Sequence, residues 1–257
     1  MSETNSKSNP PTAGSGFSWI RRPEVRALGA LLFVFVLGMF LNANGAFFHW
    51  DTHRDMLRHV SVCGILACGM TLVIIAGGID LSVGSLLGLT AVFFSLGTIR
   101  WGWPPAVAVP ACLLLGLFGG LASGGLIARF KIQPFIATLA MMVFARGLAK
   151  WLSGGQKIST AVQQADGAWQ YVPEPGIFTF LNSKLLANNL AVVTLVFAAC
   201  ILVSWILLSK TRWGRYLYAI GGNEEAAGLS GIPVGAMKGL AYGACGLFSA
   251  VAGMCHP

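Results

Sequence analysis

Asp80 is the only acidic residue between Asp55 and Asp166, and it stands in the apolar segment MTLVIIAGGIDLSVGSLLGLTAV (70–92). A carboxylate at the centre of a membrane-spanning helix costs roughly 2.5–3.5 kcal/mol on insertion scales, so it faces a cavity, a partner or water. Gly77 and Gly78 precede Asp80, and Ser82, Gly84 and Ser85 follow it. That composition predicts a broken helix or a tight turn, tolerated at depth only where protein or a cavity satisfies the backbone. Two roles are open to Asp80: a direct place on a polar pathway, or a cap accepting N–H groups from the helix that follows.

Two other constellations invite chemistry and lose it on inspection. His49, His53 and His59, with Asp51 and Asp55 in HWDTHRDMLRH, could ligate a metal. The stretch lies between two apolar runs and reads more simply as an interfacial segment, so no metal site is expected. Residues 152–156 spell LSGGQ, the signature string of ATP-binding-cassette ATPases. A nucleotide site would also need a phosphate-cradling G-x-x-x-x-G-K-[ST] loop, and the chain contains no Gly-Lys dipeptide. The match is a chance one. Cys63, Cys68, Cys112, Cys200, Cys245 and Cys255 all lie in apolar runs without C-x-x-C spacing, which favours reduced, buried or lipid-facing thiols.

The elements that carry these residues are apolar helices. The 257 residues are 55% hydrophobic and 10% charged, far from the roughly 25% charged of soluble domains, which excludes a soluble enzyme. Runs free of Asp, Glu, Lys, Arg and His cover residues 27–48, 60–79, 81–99, 101–128 and 185–209. Each approaches or exceeds the ~20 residues that a helix needs to cross a bilayer. A sixth helix is expected to enter at Pro134 and run toward Trp151, and a seventh begins at Gly239. The fold class expected is therefore all-α, a polytopic transmembrane bundle of about seven spans.

Residues 1–26, polar and then basic at Arg21, Arg22 and Arg26, read as a disordered cytoplasmic tail before an uncleaved anchor. Alternating from there puts Arg129, Lys131, Lys210, Arg212, Arg215 and Lys238 inside with Lys7, Arg21, Arg22 and Arg26, ten basic residues against seven outside. Topology and anionic headgroups thus account for the net charge of +8, and nucleic acid is not implied.

Small residues repeat at helical spacing. Gly116, Gly120 and Gly124 lie four apart, which lets helix backbones approach closely, within the chain or against a second subunit. Gly84 and Gly88 repeat the spacing. On the cytoplasmic side, residues 210–238 begin basic, and Asn223 can cap a short helix whose first turn carries Glu224 and Glu225. Gly231 and Pro233 would stop it. A helix displayed on such a loop suits docking to a cytoplasmic partner.

Three motifs stand in order: GMTLVIIAGGIDLSVGS (69–85), QPFIATLAMMVFARGLA (133–149) and GRYLYAIGGNEEAAGLSGIPV (214–234). On them the chain, from about Leu57 to Met254, resembles the monosaccharide-type permeases of ATP-binding-cassette importers, the ribose permease family. The resemblance implies a bacterial inner-membrane subunit with no cofactor of its own. ATP and Mg would be held by a cytoplasmic ATPase subunit, and a periplasmic binding protein would deliver the sugar to a permease dimer. It further implies that Gly77, Gly78, Asp80, Ser82 and Gly84 shape a break near the pathway. Gly221, Asn223, Glu224, Glu225, Ala226, Ala227 and Gly231 would then form the coupling helix, and the region after Arg146 an external loop.

Gly228 departs from the basic or polar residue common in relatives. Relatives also continue past the 252–253 region with further spans, so a C-terminally truncated, non-functional permease fragment is one alternative. An ion-coupled secondary transporter built on Asp80 is another.

Overall fold

A computed structural model describes residues 23–41, 43–163, 169–185 and 190–256. Among them, seven helices are long and apolar enough to cross a membrane: α1 (Pro23–Phe40), α2 (Trp50–Ile75), α3 (Val83–Ser95, extended by a π-helical turn at Leu96–Arg100), α4 (Pro105–Phe130), α5 (Pro134–Ser153), α7 (Val192–Lys210) and α10 (Val234–Cys255). Three short helices lie between them, α6 (Gly176–Asn182), α8 (Arg212–Gly222) and α9 (Glu224–Leu229). The segment joining α5 to α7 also holds two small antiparallel pairs, β1 (Ala161–Gln163) with β2 (Trp169–Tyr171) and β3 (Lys184–Leu185) with β4 (Leu190–Ala191).

The chain divides into two compact units at His53 and Arg54. In the first, α1 covers Pro23–Phe40, reaching back beyond the uncharged run, and Glu24 suits its first turn. Most of the expected N-terminal tail lies outside the described residues. A 3₁₀ turn at Ala43–Phe48 follows, with Phe47 edge-on to Phe35 and His53. The histidine-rich stretch expected at an interface is helical from Trp50 onward, forming the opening turns of α2.

The second unit is built around α10. Gly116, Gly120 and Gly124 of α4 face Gly246, Tyr242 and Gly239 in turn, so the two helices run antiparallel. A Cβ on Gly116 or Gly120 would overlap a carbonyl oxygen of α10, and one on Gly246 would overlap the Gly116 carbonyl. Between spans the hydrophobic effect supplies little, and this backbone contact is what holds them. α2 is also antiparallel to α10, since Gly69 meets Cys245 and Phe248 while Gly78, just past the end of α2, meets Tyr242. α3 runs the other way, with Val83 packed on the cluster that holds Tyr242 and Cys245, and Thr90 against Gly253. α2 and α3 are therefore two crossings joined by a turn, not one helix.

The helix stops follow local chemistry. Gly154 (φ 62°) and Gly155 (φ 72°) end α5, the Gly155 N–H donating to the Lys150 carbonyl and the Gly154 N–H to the Trp151 carbonyl. Those six-to-one and five-to-two bonds make a Schellman cap, so the glycines of LSGGQ terminate a helix here.

Candidate functional site

The turn between α2 and α3 gathers the first predicted group. Gly77 (φ 74°) lies in the left-handed region, its N–H donating to the Ile74 carbonyl while Gly78 N–H donates to that of Val73. This is a second Schellman cap, and it requires a residue without Cβ strain at Gly77. Gly78 is excluded from carrying a side chain for another reason: its Cβ would lie 2.5 Å from the Tyr242 hydroxyl. That hydroxyl donates to the Ile79 carbonyl at 3.2 Å, pinning the turn to α10.

Asp80 is 2% exposed. Its Oδ1 accepts the Ser82 N–H at 2.8 Å and the Ser82 hydroxyl at 2.6 Å. Ser82 is the N-cap of α3, yet its hydroxyl makes no cap bond because Asp80 holds it. Asp80 thus orders the approach to the helix instead of capping its first turn directly. Oδ2 is buried and has no hydrogen-bond partner among the described residues. The side chains of Tyr242 and Cys245 lie near enough to interact electrostatically with the carboxylate. Gly84, one turn further on, sits apart from this centre with open space where a Cβ would be.

The second predicted group is split by an element absent from the sequence reading. α8 (Arg212–Gly222) starts at an N-cap Thr211, whose hydroxyl oxygen accepts the Gly214 N–H at 3.2 Å. It buries Gly214, Leu217 and Ile220 along one face. Gly221 belongs to α8 and not to the coupling helix, a correction with a physical cause. Its missing side chain lets the end of α8 rest on the end of α2, where a Cβ would overlap the Ile75 carbonyl oxygen. The displayed loop is also shorter than 210–238, since α10 already starts at Val234 after Pro233.

α9 is the short helix of Glu224–Leu229. Asn223 Oδ1 accepts the Ala226 N–H at 2.9 Å, and Glu224 and Glu225 occupy the first turn. Ala227 is its buried residue. Gly231 (φ 82°) closes it, with Ile232 N–H donating to the Ala227 carbonyl and Gly231 N–H to that of Gly228. Glu224 pairs with Lys238 of α10 at 2.5 Å. The pair borders a cavity of about 470 Å³ that also reaches Lys131, Gln133 and Pro134 at the α4–α5 turn. Leu229 is 87% exposed, the one large apolar side chain of a helix that otherwise carries two glutamates, two alanines and a glycine.

The structure thus joins the two predicted groups through Gly221 and Ile75, and Tyr242, which faces the α4 glycines, ties the first of them to the α4–α10 seam. Tyr242, Leu229 and α8 as a helix escaped the sequence reading, and Lys238 entered it only as a cytoplasmic charge. The threonine cap and the three-residue spacing of Gly214, Leu217 and Ile220 were available signals for α8. Tyr242 carried none, because its importance lies in what it meets across the fold.

A family model described as "Branched-chain amino acid transport system / permease component" matches residues 54–257. The ribose import permease protein RbsC of Escherichia coli (strain K12) is 40% identical over 234 residues, 90% of this chain and 68% of its own length. RbsC of Bacillus subtilis (strain 168) is 38% identical over 230 residues, 89% of this chain and 67% of its own. The fructose import permease protein FrcC of Rhizobium meliloti is 35% identical over 233 residues, 89% and 60% respectively. No solved structure matches the chain at a significant level.

Proposed function

The chain belongs to the family described as branched-chain amino acid transport system / permease component, and from that premise we propose that it is the membrane-spanning permease subunit of an ATP-binding-cassette importer that carries a monosaccharide across the bacterial inner membrane. The names of the relatives, import permeases for ribose and fructose, support the sugar class. They favour this reading over an ion-coupled carrier. The partners it needs are a cytoplasmic ATPase holding ATP and Mg, a periplasmic sugar-binding protein and a second permease subunit. The N-terminus lies in the cytoplasm.

One observation carries the mechanism: α9 is capped at both ends, displays Leu229, and is tied by Glu224–Lys238 to α10, the helix on which α2, α3 and α4 pack. A short rigid helix held in this way moves as a body when a partner grips it. Two firm contacts carry that motion inward. The ion pair reaches α10, and Gly221 reaches the end of α2 beside the Asp80 turn. Closure of the ATPase would shift the balance between inward-open and outward-open arrangements, and no covalent chemistry on this chain is involved.

The test is co-purification in detergent from cells that also express the importer's ATPase. The ATPase is expected to accompany the wild-type chain and to be lost from the double variant Glu225→Lys, Leu229→Asp, both exposed positions, at unchanged melting temperature. Retention of the ATPase by that variant would refute α9 as the docking element.

A further inference from the structure

A second polar feature shares only Gly84 with the predicted groups. Between α3 and α5 a groove of about 210 Å³ is floored by Gly84, Ser85 and Gly88 and walled by Arg146 and Lys150. Gly84 and Gly88 have nothing within 4 Å of where a Cβ would stand. Ser85 belongs to the groove lining and is 6% exposed, and its buried hydroxyl has no hydrogen-bond partner among the described residues. Arg146 lies seven positions before Ser153, the last residue of α5, so it is about 10 Å short of the helix end. A guanidinium at that depth in a spanning helix belongs beside water or a polar ligand.

We propose that this groove is a hydroxyl-binding station for the monosaccharide on its way through the membrane, an inference that rests on the permease reading above. The donor set fits a neutral polyol. Arg146 and Lys150, one turn apart, offer N–H groups to sugar oxygens, and Ser85 can both donate and accept. No carboxylate lines the groove, which disfavours a cation as its occupant. The absent side chains at Gly84 and Gly88 supply the space a ring needs, and a shallow, open site suits a ligand that must also leave. Apart from Gly84, none of these residues belongs to either predicted group.

The experiment places a thiol in the groove. Gly88→Cys and the control Gly147→Cys, exposed on the same helix as Arg146 with nothing within 4 Å, are expressed in the full chain with its ATPase and binding protein. Membrane vesicles are treated with the anionic reagent 2-sulfonatoethyl methanethiosulfonate, and modification is read by mass spectrometry of the peptide containing each position, so native cysteines do not interfere. Gly88→Cys is expected to react at least ten-fold faster, roughly, because thiolate chemistry needs water and the groove attracts the anion.

Ribose, fructose or xylose, whichever the wild-type vesicles take up, should slow that reaction. Adding Ser85→Ala should raise the sugar concentration needed for half-protection about five-fold. Equal reaction at the two positions would overturn the proposal, as would protection by phosphatidylglycerol in place of sugar. So would sugar protection that is indifferent to Ser85→Ala. Should Gly88→Cys fail to fold, Gly84→Cys, equally free of neighbours, carries the same measurement. Uptake of none of the three sugars by the wild type counts against the permease reading itself. Uptake without protection counts against the groove alone.

Discussion

Two glycine stripes of identical spacing have opposite meanings in this molecule. Gly116, Gly120 and Gly124 on α4 are closed over by α10, with carbonyl oxygens and backbone carbons standing where a Cβ would be. Gly84 and Gly88 on α3 face empty space beside two cationic side chains. The first stripe is a seam that fixes the bundle, and the second leaves a groove open. Small residues four apart state only that something needs room; whether a helix or a ligand takes it depends on the element opposite.

The sharpest way to break this comparison is to make the same change on both stripes. Gly120→Ala should destabilise the bundle by about 1–3 kcal/mol, since overlap with backbone cannot relax as a side chain would. Thermal unfolding in detergent, followed by tryptophan fluorescence, reads it directly. Gly221→Ala is expected to sit just below that in stability and to weaken coupling between ATP hydrolysis and uptake, because it forces α8 off the Ile75 carbonyl. Should it leave coupling intact, the contact between α8 and α2 is passive.

Removing the α9 cap by Asn223→Ala should cost about 1 kcal/mol of local helix stability, seen as faster amide exchange at Ala226 and Ala227 while the spans hold. The smallest effect closes the comparison. Gly88→Ala should raise stability by a few tenths of a kcal/mol, up to about 1 kcal/mol, through helix propensity alone. A sign shared by Gly120→Ala and Gly88→Ala would mean that the two stripes are not different after all. Gly228→Ala belongs with the second kind, since its Cβ would meet only Val234 at 3.9 Å.

The same contrast explains what could be read from the chain before its fold was known. Uncharged runs marked the spans because crossing hydrocarbon demands length and apolarity, properties of contiguous residues. Asn223, Gly231 and the acidic first turn marked α9 because capping is local. The α4 stripe was legible, but its partners Gly239, Gly243 and Gly246 were not, because a stripe does not name the surface it meets. α8 was hidden by arginines, tyrosines and two terminal glycines, which suggest a loop until Leu217 and Ile220 are seen to share a buried face. Asp80 was singled out by its isolation. What it does, holding Ser82 at the entry to α3, depended on a turn whose direction only the packing of α2 and α3 against α10 decides.

We propose that this chain moves sugar on the energy of a partner ATPase. The most direct measurement is uptake of radiolabelled ribose, fructose and xylose into vesicles bearing the chain with its ATPase and binding protein, with ATP supplied and the proton gradient collapsed by an uncoupler. Uptake of one sugar that persists under the uncoupler, requires ATP and fails with Glu225→Lys, Leu229→Asp is the predicted result. Uptake that follows the proton gradient and proceeds without ATP would contradict it.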